Sequence, residues 1–425
     1  MSRTSITAVR GRRVWDSRGR PTVEAEVELA CGAVGRGIAP AGASTGSGEA
    51  LDLRDGGEAF GGLDVRKAVA GIGGEIAPAM LGLDAARQES VDVRLVSLDG
   101  TAAKTRLGAN ATLAVSLATA HAAAAAHHLP LWRWLGGADA RTMPLPEIQI
   151  FGGGAHAGRR VDIQDFLVVC PGADSFAQAL DWTAEVYRAA GKLMAEAGKL
   201  KGVADEGGFW PDFSANDEAL DYLTRAIERA GYRPVDQVAI ALDIAASELG
   251  RAGRYRLGLE SRELASEGMI EMLAGWIGRY PIVSIEDPLA EDDAEGFAAF
   301  TARFGGRLQI VGDDFLVTDA ARVRRAAERR ECNTVLVKPN QRGTLSEAKA
   351  CWDAAREAGF GAIVSARSGE TEDVTIIHLA VGWGVPGFKV GSFSRSERMA
   401  KWNEGIRIEE SLGDRARFAG RLALA

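Results

Sequence analysis

Cysteine is scarce in this chain. Its four residues, Cys31, Cys170, Cys332 and Cys351, form no CxxC pair. That spacing excludes a disulfide framework and a thiolate zinc site, and it predicts free thiols in a reducing compartment. Dense lysine and arginine runs are also missing, and the formal charge is −8. An anionic ligand must then be held locally, by a few cations or by a metal, and nucleic acid is not an expected partner. Arg3, Arg10, Arg12 and Arg13 open the chain, but no apolar h-region follows them, so no secretion signal is read. The longest apolar stretch, residues 109–126, is built of small side chains and interrupted by Ser116 and His121. It predicts a packed helix rather than a membrane span. Together these absences point to a cytoplasmic protein with no membrane partner. Two nucleotide signatures are absent as well. No GxGxxG follows a first strand, and no GK[ST] follows the glycine-rich segment 41–46, which argues against a dinucleotide fold and a P-loop.

What remains is the composition of an ordinary globular protein, 46% hydrophobic and 25% charged, in a chain too long for one core. Residues 6–14 and 22–29 alternate apolar and polar side chains around a turn at Asp16-Ser17-Arg18-Gly19, the pattern of paired strands. Helical patterns follow up to His128, where Pro130 ends the last one. Beyond them, apolar runs recur about one strand and one helix apart. They are residues 238–243, 282–286, 308–313, 334–338, 362–367 and 387–391. Repeated βα units with fully apolar strands predict a parallel sheet covered by helices, and a closed barrel is preferred over an open doubly wound sheet. The fold class expected is therefore α/β: an N-terminal α+β domain over residues 1–138, carrying a glycine-rich lid loop, and a C-terminal β/α barrel over residues 139–425.

In such a barrel the active site lies at the C-terminal ends of the strands. Asp243, Glu286 and Asp313 end three successive runs. Unscreened carboxylates converging in a low-dielectric cleft repel one another, and a divalent cation removes the conflict. An all-oxygen set favours magnesium, manganese or calcium over zinc. Lys338 ends the next run. Close to a metal and other cations its pKa is expected to fall, which makes it a candidate general base. Arg367, Ser368 and Lys389 follow on the next two units and form a pocket for phosphate or carboxylate. The loop Ala41-Gly42-Ala43-Ser44-Thr45-Gly46 reads as a mobile lid from which Ser44 reaches a metal or phosphate. His156, in a second glycine-rich loop, is placed to contact an anion.

The ordered motifs resemble the enolase family almost from end to end. They are Asp16-Ser-Arg-Gly19, Ala41-Gly-Ala-Ser-Thr-Gly46, Leu107-Gly-Ala-Asn110, Asp162-Ile-Gln-Asp-Phe166, Asp205-Glu-Gly-Gly-Phe209, Ser284-Ile-Glu-Asp287, Gly312-Asp-Asp314, Lys338-Pro-Asn-Gln341, Arg367-Ser-Gly-Glu-Thr-Glu-Asp373 and Ser394-Arg-Ser-Glu-Arg398. The resemblance implies conversion of 2-phosphoglycerate to phosphoenolpyruvate with two magnesium ions per site. Asp243, Glu286 and Asp313 would hold the first ion, and Ser44 would join the second. Lys338 would be the base, Glu206 would help the hydroxyl leave, and Asp165 would stand beside the leaving group. His156, Gln164, Arg367, Ser368, Lys389, Ala43 and Ser44 would contact the substrate, a small phosphorylated carboxylate. A homodimer or higher homo-oligomer is expected on the same ground.

Several positions depart from the family. Asp165 stands where the family has Glu, Ala366 where it has His, Ala41 where Ser is usual, Gly152 where Asn is usual and Ala204 where Gly is usual. Trp210 replaces a small residue and is a candidate to fill the space left at 366. These departures admit a second reading, a paralogue of specialised metabolism such as a carboxyphosphonoenolpyruvate synthase in phosphonate biosynthesis. A third is a non-catalytic scaffold, against which the retained carboxylates and lysine argue.

Overall fold

A computed structural model describes residues 2–424. The N-terminal strands Ile6–Trp15, Pro21–Leu29 and Val34–Ile38 form an antiparallel sheet in that order. The sequence reading found the first two strands; the third carries Gly35 and Gly37 and has little alternation to read. The expected helix is present at Ala109–Ala126. All but two of its residues are buried, consistent with its uniform small-residue composition, and it shares a core with Val23, Ala25, Val27, Ile72 and Leu95. Among the described residues, no helix is long and apolar enough to cross a membrane. All four cysteines are free thiols.

The remainder closes into an eight-stranded barrel whose strands follow one another around the ring in chain order. They are Leu145–Gly152, Asp165–Val169, Ala239–Asp243, Ile282–Glu286, Gln309–Gly312, Thr334–Val337, Gly361–Ser365 and Gly387–Ser392. The last six are the runs read from sequence, and the ring is sealed by parallel pairing of Gly387–Ser392 with Leu145–Gly152. The expectation of an all-parallel sheet is corrected at one strand, for Asp165–Val169 runs antiparallel to both neighbours. Two helices, Phe176–Glu196 and Asn216–Arg229, follow it before the next strand. An antiparallel neighbour could be joined by a short hairpin; here the connection instead runs up one helix and down the other, which returns the chain to the bottom of the barrel for the next strand. The segment between the two helices, residues 197–215, is thereby delivered to the mouth.

The N-terminal domain meets the barrel close to that mouth. Ala41 and Gly369 exchange backbone hydrogen bonds of 3.0 and 2.9 Å, and the Ser17 N–H donates to the Glu370 carbonyl at 2.8 Å. Asp16 accepts from the backbone N–H groups of Arg18 and Arg20, holding the turn read from sequence.

Candidate active site

Six parallel strands aim their C-terminal ends at one place. Asp243 and Glu286 are last in their strands, Asp313 and Lys338 come directly after theirs, and Arg367 and Ser368 lie just past Ser365. Lys389 sits inside its strand and reaches the mouth with its long stem. The reversed strand contributes from its other end: Asp165 is its first residue and the register partner of both Gly152 and Asp243. His156 lies in the short turn before it, and Glu206 on the segment between the paired helices.

These elements surround a cleft lined by Ser44, His156, Gln164, Asp165, Glu206, Asp243, Lys338, Ala366, Arg367, Ser368 and Lys389, among others. Glu286 and Asp313 do not line it directly but pair with lysines that do. Ala43 is exposed on the lid and does not line the cleft. Trp210 is not in the lining either; its ring lies beside Gly158.

Charge is organised in three linked groups. Lys389 Nζ lies 2.9 Å from Asp243, 2.8 Å from Glu286 and 3.3 Å from Asp165. Burial works against its charge, but the surrounding carboxylates raise its pKa well above the ordinary lysine value. His156 Nδ1 is 3.1 Å from Asp165, while its Nε2 is 3.0 Å from Ser368 Oγ and 3.7 Å from Glu206. Burial pushes the imidazole down, yet Glu206 and Asp165 together raise it to about 9, so it is a cation at neutral pH. Asp165 is desolvated too, but Lys389 and His156 hold its carboxyl below the usual range. Finally, Lys338 pairs with Asp313. Burial lowers the Lys338 pKa, but Asp313 and Glu286 together raise it, and without a cation on those carboxylates the net direction is upward. A cation on Asp313 competes for the same carboxylate charge, so base strength and metal binding share one group.

The donor set fits a hard divalent cation. Asp243, Glu286 and Asp313 offer only oxygen, and Glu286 Oε1 is buried with no hydrogen-bond partner. Burial and the neighbouring Asp243 push the Glu286 carboxyl well above its usual range, which marks a deficit of positive charge despite Lys389. Among the described residues, two tighter groupings have ligand atoms within 4.8 Å of one another: His156, Asp165 and Glu206, and Asp287, Asp313 and Asp314. The acids assigned from sequence are not one of these groupings.

Several partners were not assigned from sequence. Glu49 makes a two-pronged pair with Arg367 at 2.9 and 3.1 Å, and Arg367 also donates to the Ser44 carbonyl at 2.9 Å. Nothing local marks Glu49, which lies far from Arg367 in sequence. Gln341, the last residue of Lys338-Pro-Asn-Gln341, donates to Asp313 at 2.9 Å. Arg398, fully buried, donates to the carbonyls of Arg367, Ser368 and Val390 and so fixes the strand ends that carry the anion-binding side chains. Gln149 donates to Asp165, and Gln164 donates to Asp243 at 3.1 Å.

Known proteins match this chain along nearly its whole length. Residues 6–135 match the family described as "Enolase, N-terminal domain", and residues 140–425 match "Enolase, C-terminal TIM barrel domain". A protein named Enolase from Rubrobacter xylanophilus is 51% identical over 418 residues, covering 98% of this chain and 97% of the relative.

Proposed function

Since the chain belongs to the enolase family, we propose that it is a magnesium-dependent carbon–oxygen lyase that removes water from 2-phosphoglycerate to give phosphoenolpyruvate. The observation that carries the reading is one cleft holding Lys338 on the Asp313 side and Glu206 on the His156 side, with Arg367 and Ser368 among its walls.

In this reading Lys338 Nζ takes the proton from the carbon next to the substrate carboxylate. The electron pair left behind is first delocalised into the carboxylate; in a second step it forms the new double bond as the carbon–oxygen bond breaks, and Glu206 gives the proton with which the hydroxyl leaves as water. Lys338 must therefore be neutral and Glu206 protonated when substrate is in place. Asp243, Glu286 and Asp313 would hold one magnesium ion and Ser44 would reach a second; when bound, they would supply positive charge to stabilise the negative charge that proton removal leaves on the substrate. Arg367, Ser368 and the His156 imidazolium hold the anionic groups, and Asp165 orients His156. Gln164 and Lys389 keep Asp243 in place. Ala43 contributes only through the lid backbone.

We read the chain as two domains, 1–138 and 139–425, a division supported by the limits of the two family matches. A cytoplasmic homodimer or higher homo-oligomer acting on a small phosphorylated carboxylate completes the reading, by resemblance to the family. No observation favours the phosphonate-pathway paralogue or the scaffold.

The deciding experiment follows enolpyruvate formation by ultraviolet absorbance, with 2-phosphoglycerate and excess magnesium. Turnover of ~1–10³ per second is expected. A chain that magnesium stabilises but that leaves 2-phosphoglycerate untouched would overturn the proposal.

A further inference from the structure

Asp165 carries one methylene fewer than the family's residue at its position, yet its carboxylate still reaches His156 and lies close to Lys389. Its support comes from Gln149, on the neighbouring barrel strand. The Gln149 side-chain N–H donates to Asp165 Oδ1, the same oxygen that faces His156 Nδ1 at 3.1 Å. The other end of the same amide, Gln149 Oε1, accepts from the Gly208 N–H at 2.9 Å. Gly208 belongs to the segment that carries Glu206, so a single fully buried side chain ties the Glu206 segment to the start of the Asp165 strand.

The surroundings are cut to this long amide. A Cβ on Gly208 would lie 2.4 Å from Gln149 Oε1, and one on Gly152 would lie 3.1 Å from it and 2.8 Å from Ala204 Cβ. Side chains at 152 and 208 would take the volume that the glutamine fills. Position 152 is itself one of the departures from the family, and it is the register partner of Asp165.

We propose that Gln149 is a positioning residue. Its length makes up for the short side chain of Asp165, and its two hydrogen bonds set the placement of His156 and Glu206 relative to each other. The inference rests on the dehydratase reading above. Gln149 touches no reacting atom; it acts through Asp165 and Gly208.

Two consequences are opposite to what a simple repair of the departure would give. Restoring the longer acid alone, Asp165→Glu, drives the carboxylate into the Gln149 amide and His156, and kcat falls. Shortening the amide alone, Gln149→Asn, leaves Asp165 without its donor, and kcat falls by roughly 10- to 100-fold while KM changes by less than about threefold, as for a catalytic group displaced by about 1 Å. Combining them returns the missing reach from the other side, so Gln149→Asn/Asp165→Glu recovers most of the lost kcat.

The test measures kcat, KM and melting temperature for the two single variants and the double variant, with 2-phosphoglycerate and magnesium. Gln149→Met, which keeps the length but removes both hydrogen bonds, is measured beside them. The expected result is a double variant faster than either single variant and a slow, folded Gln149→Met. Losses that multiply in the double variant, an Asp165→Glu variant faster than wild type, or a Gln149→Met variant with full kcat would each overturn the inference. A wild-type chain without turnover would instead overturn the dehydratase reading, so the two failures are distinguishable.

Discussion

The two sides of the cleft are built on different plans. On one side, Asp243, Glu286, Asp313 and Lys338 stand at or just past the ends of successive parallel strands. Each is fixed by the same local rule, and the rule repeats along the chain. On the other side, His156, Asp165, Gln149 and Glu206 come from a turn, the first residue of a reversed strand, the middle of another strand and a segment between two helices. No repeat connects them; only the topology does. Three of the positions read from sequence as departures from the family, 152, 165 and 204, belong to this second side. A side held together by mutual contacts can change as a set, whereas a side set by strand ends has each member tied to its own strand.

The sharpest way to break the comparison is to remove one group from each side. Lys338→Ala is expected to lower kcat by about 10³–10⁴-fold, read by ultraviolet absorbance, and to abolish exchange of the substrate's carbon-bound hydrogen with deuterated solvent. Glu206→Gln should cost roughly 10²–10³-fold in overall turnover yet keep that exchange, because proton removal belongs to the other side. Loss of exchange in Glu206→Gln would mean that the two sides do not act separately.

Metal dependence comes next in size. At magnesium about a hundredfold above its dissociation constant, the native chain should gain about 2.7 kcal/mol of stability, seen as a rise in melting temperature. Glu286→Gln should show little of that rise, since it removes a buried carboxylate from the metal side. The Asp165→Asn variant should keep it. Equal magnesium stabilisation in both variants would remove the assignment of the ion to the strand-end acids.

The smallest expected effects are in pH dependence. The His156 imidazolium, raised to about 9 by Glu206 and Asp165, binds a proton in the folded chain that the unfolded chain releases near 6.5. The stability this adds is fully present below pH 6.5 and lost as pH rises through 9. His156→Gln should flatten that part of a melting profile. Glu147, buried inside the barrel, has its carboxyl raised to about 7 by desolvation. Here too the folded chain holds the extra proton, so stability falls as pH rises from about 4.5 to 7, and Glu147→Gln should be more stable than wild type at pH 8. A native-like slope in either variant would reassign the titrating group.

The same contrast explains how much could be read in advance. Six barrel strands were legible because each is a short apolar run ending near a charged residue and followed by a helix. The other two were not. Leu145–Gly152 carries Pro146, Glu147 and Gln149, polar or strand-breaking residues that a fully buried strand seldom has. Asp165–Val169 is apolar but presents its charge at its beginning, which an ends-only rule overlooks. The pairing of Glu49 with Arg367 joins the lid to the barrel across most of the chain and leaves no local trace.

The seam of that ring has a bearing on synthesis. The barrel closes where its first strand, Leu145–Gly152, meets its last, Gly387–Ser392. A chain made from the N-terminus can assemble the small antiparallel sheet from contacts close in sequence. The barrel must wait with two open edges until the final strand has been made, and those edges and its apolar face are the parts most open to misassociation in the interval.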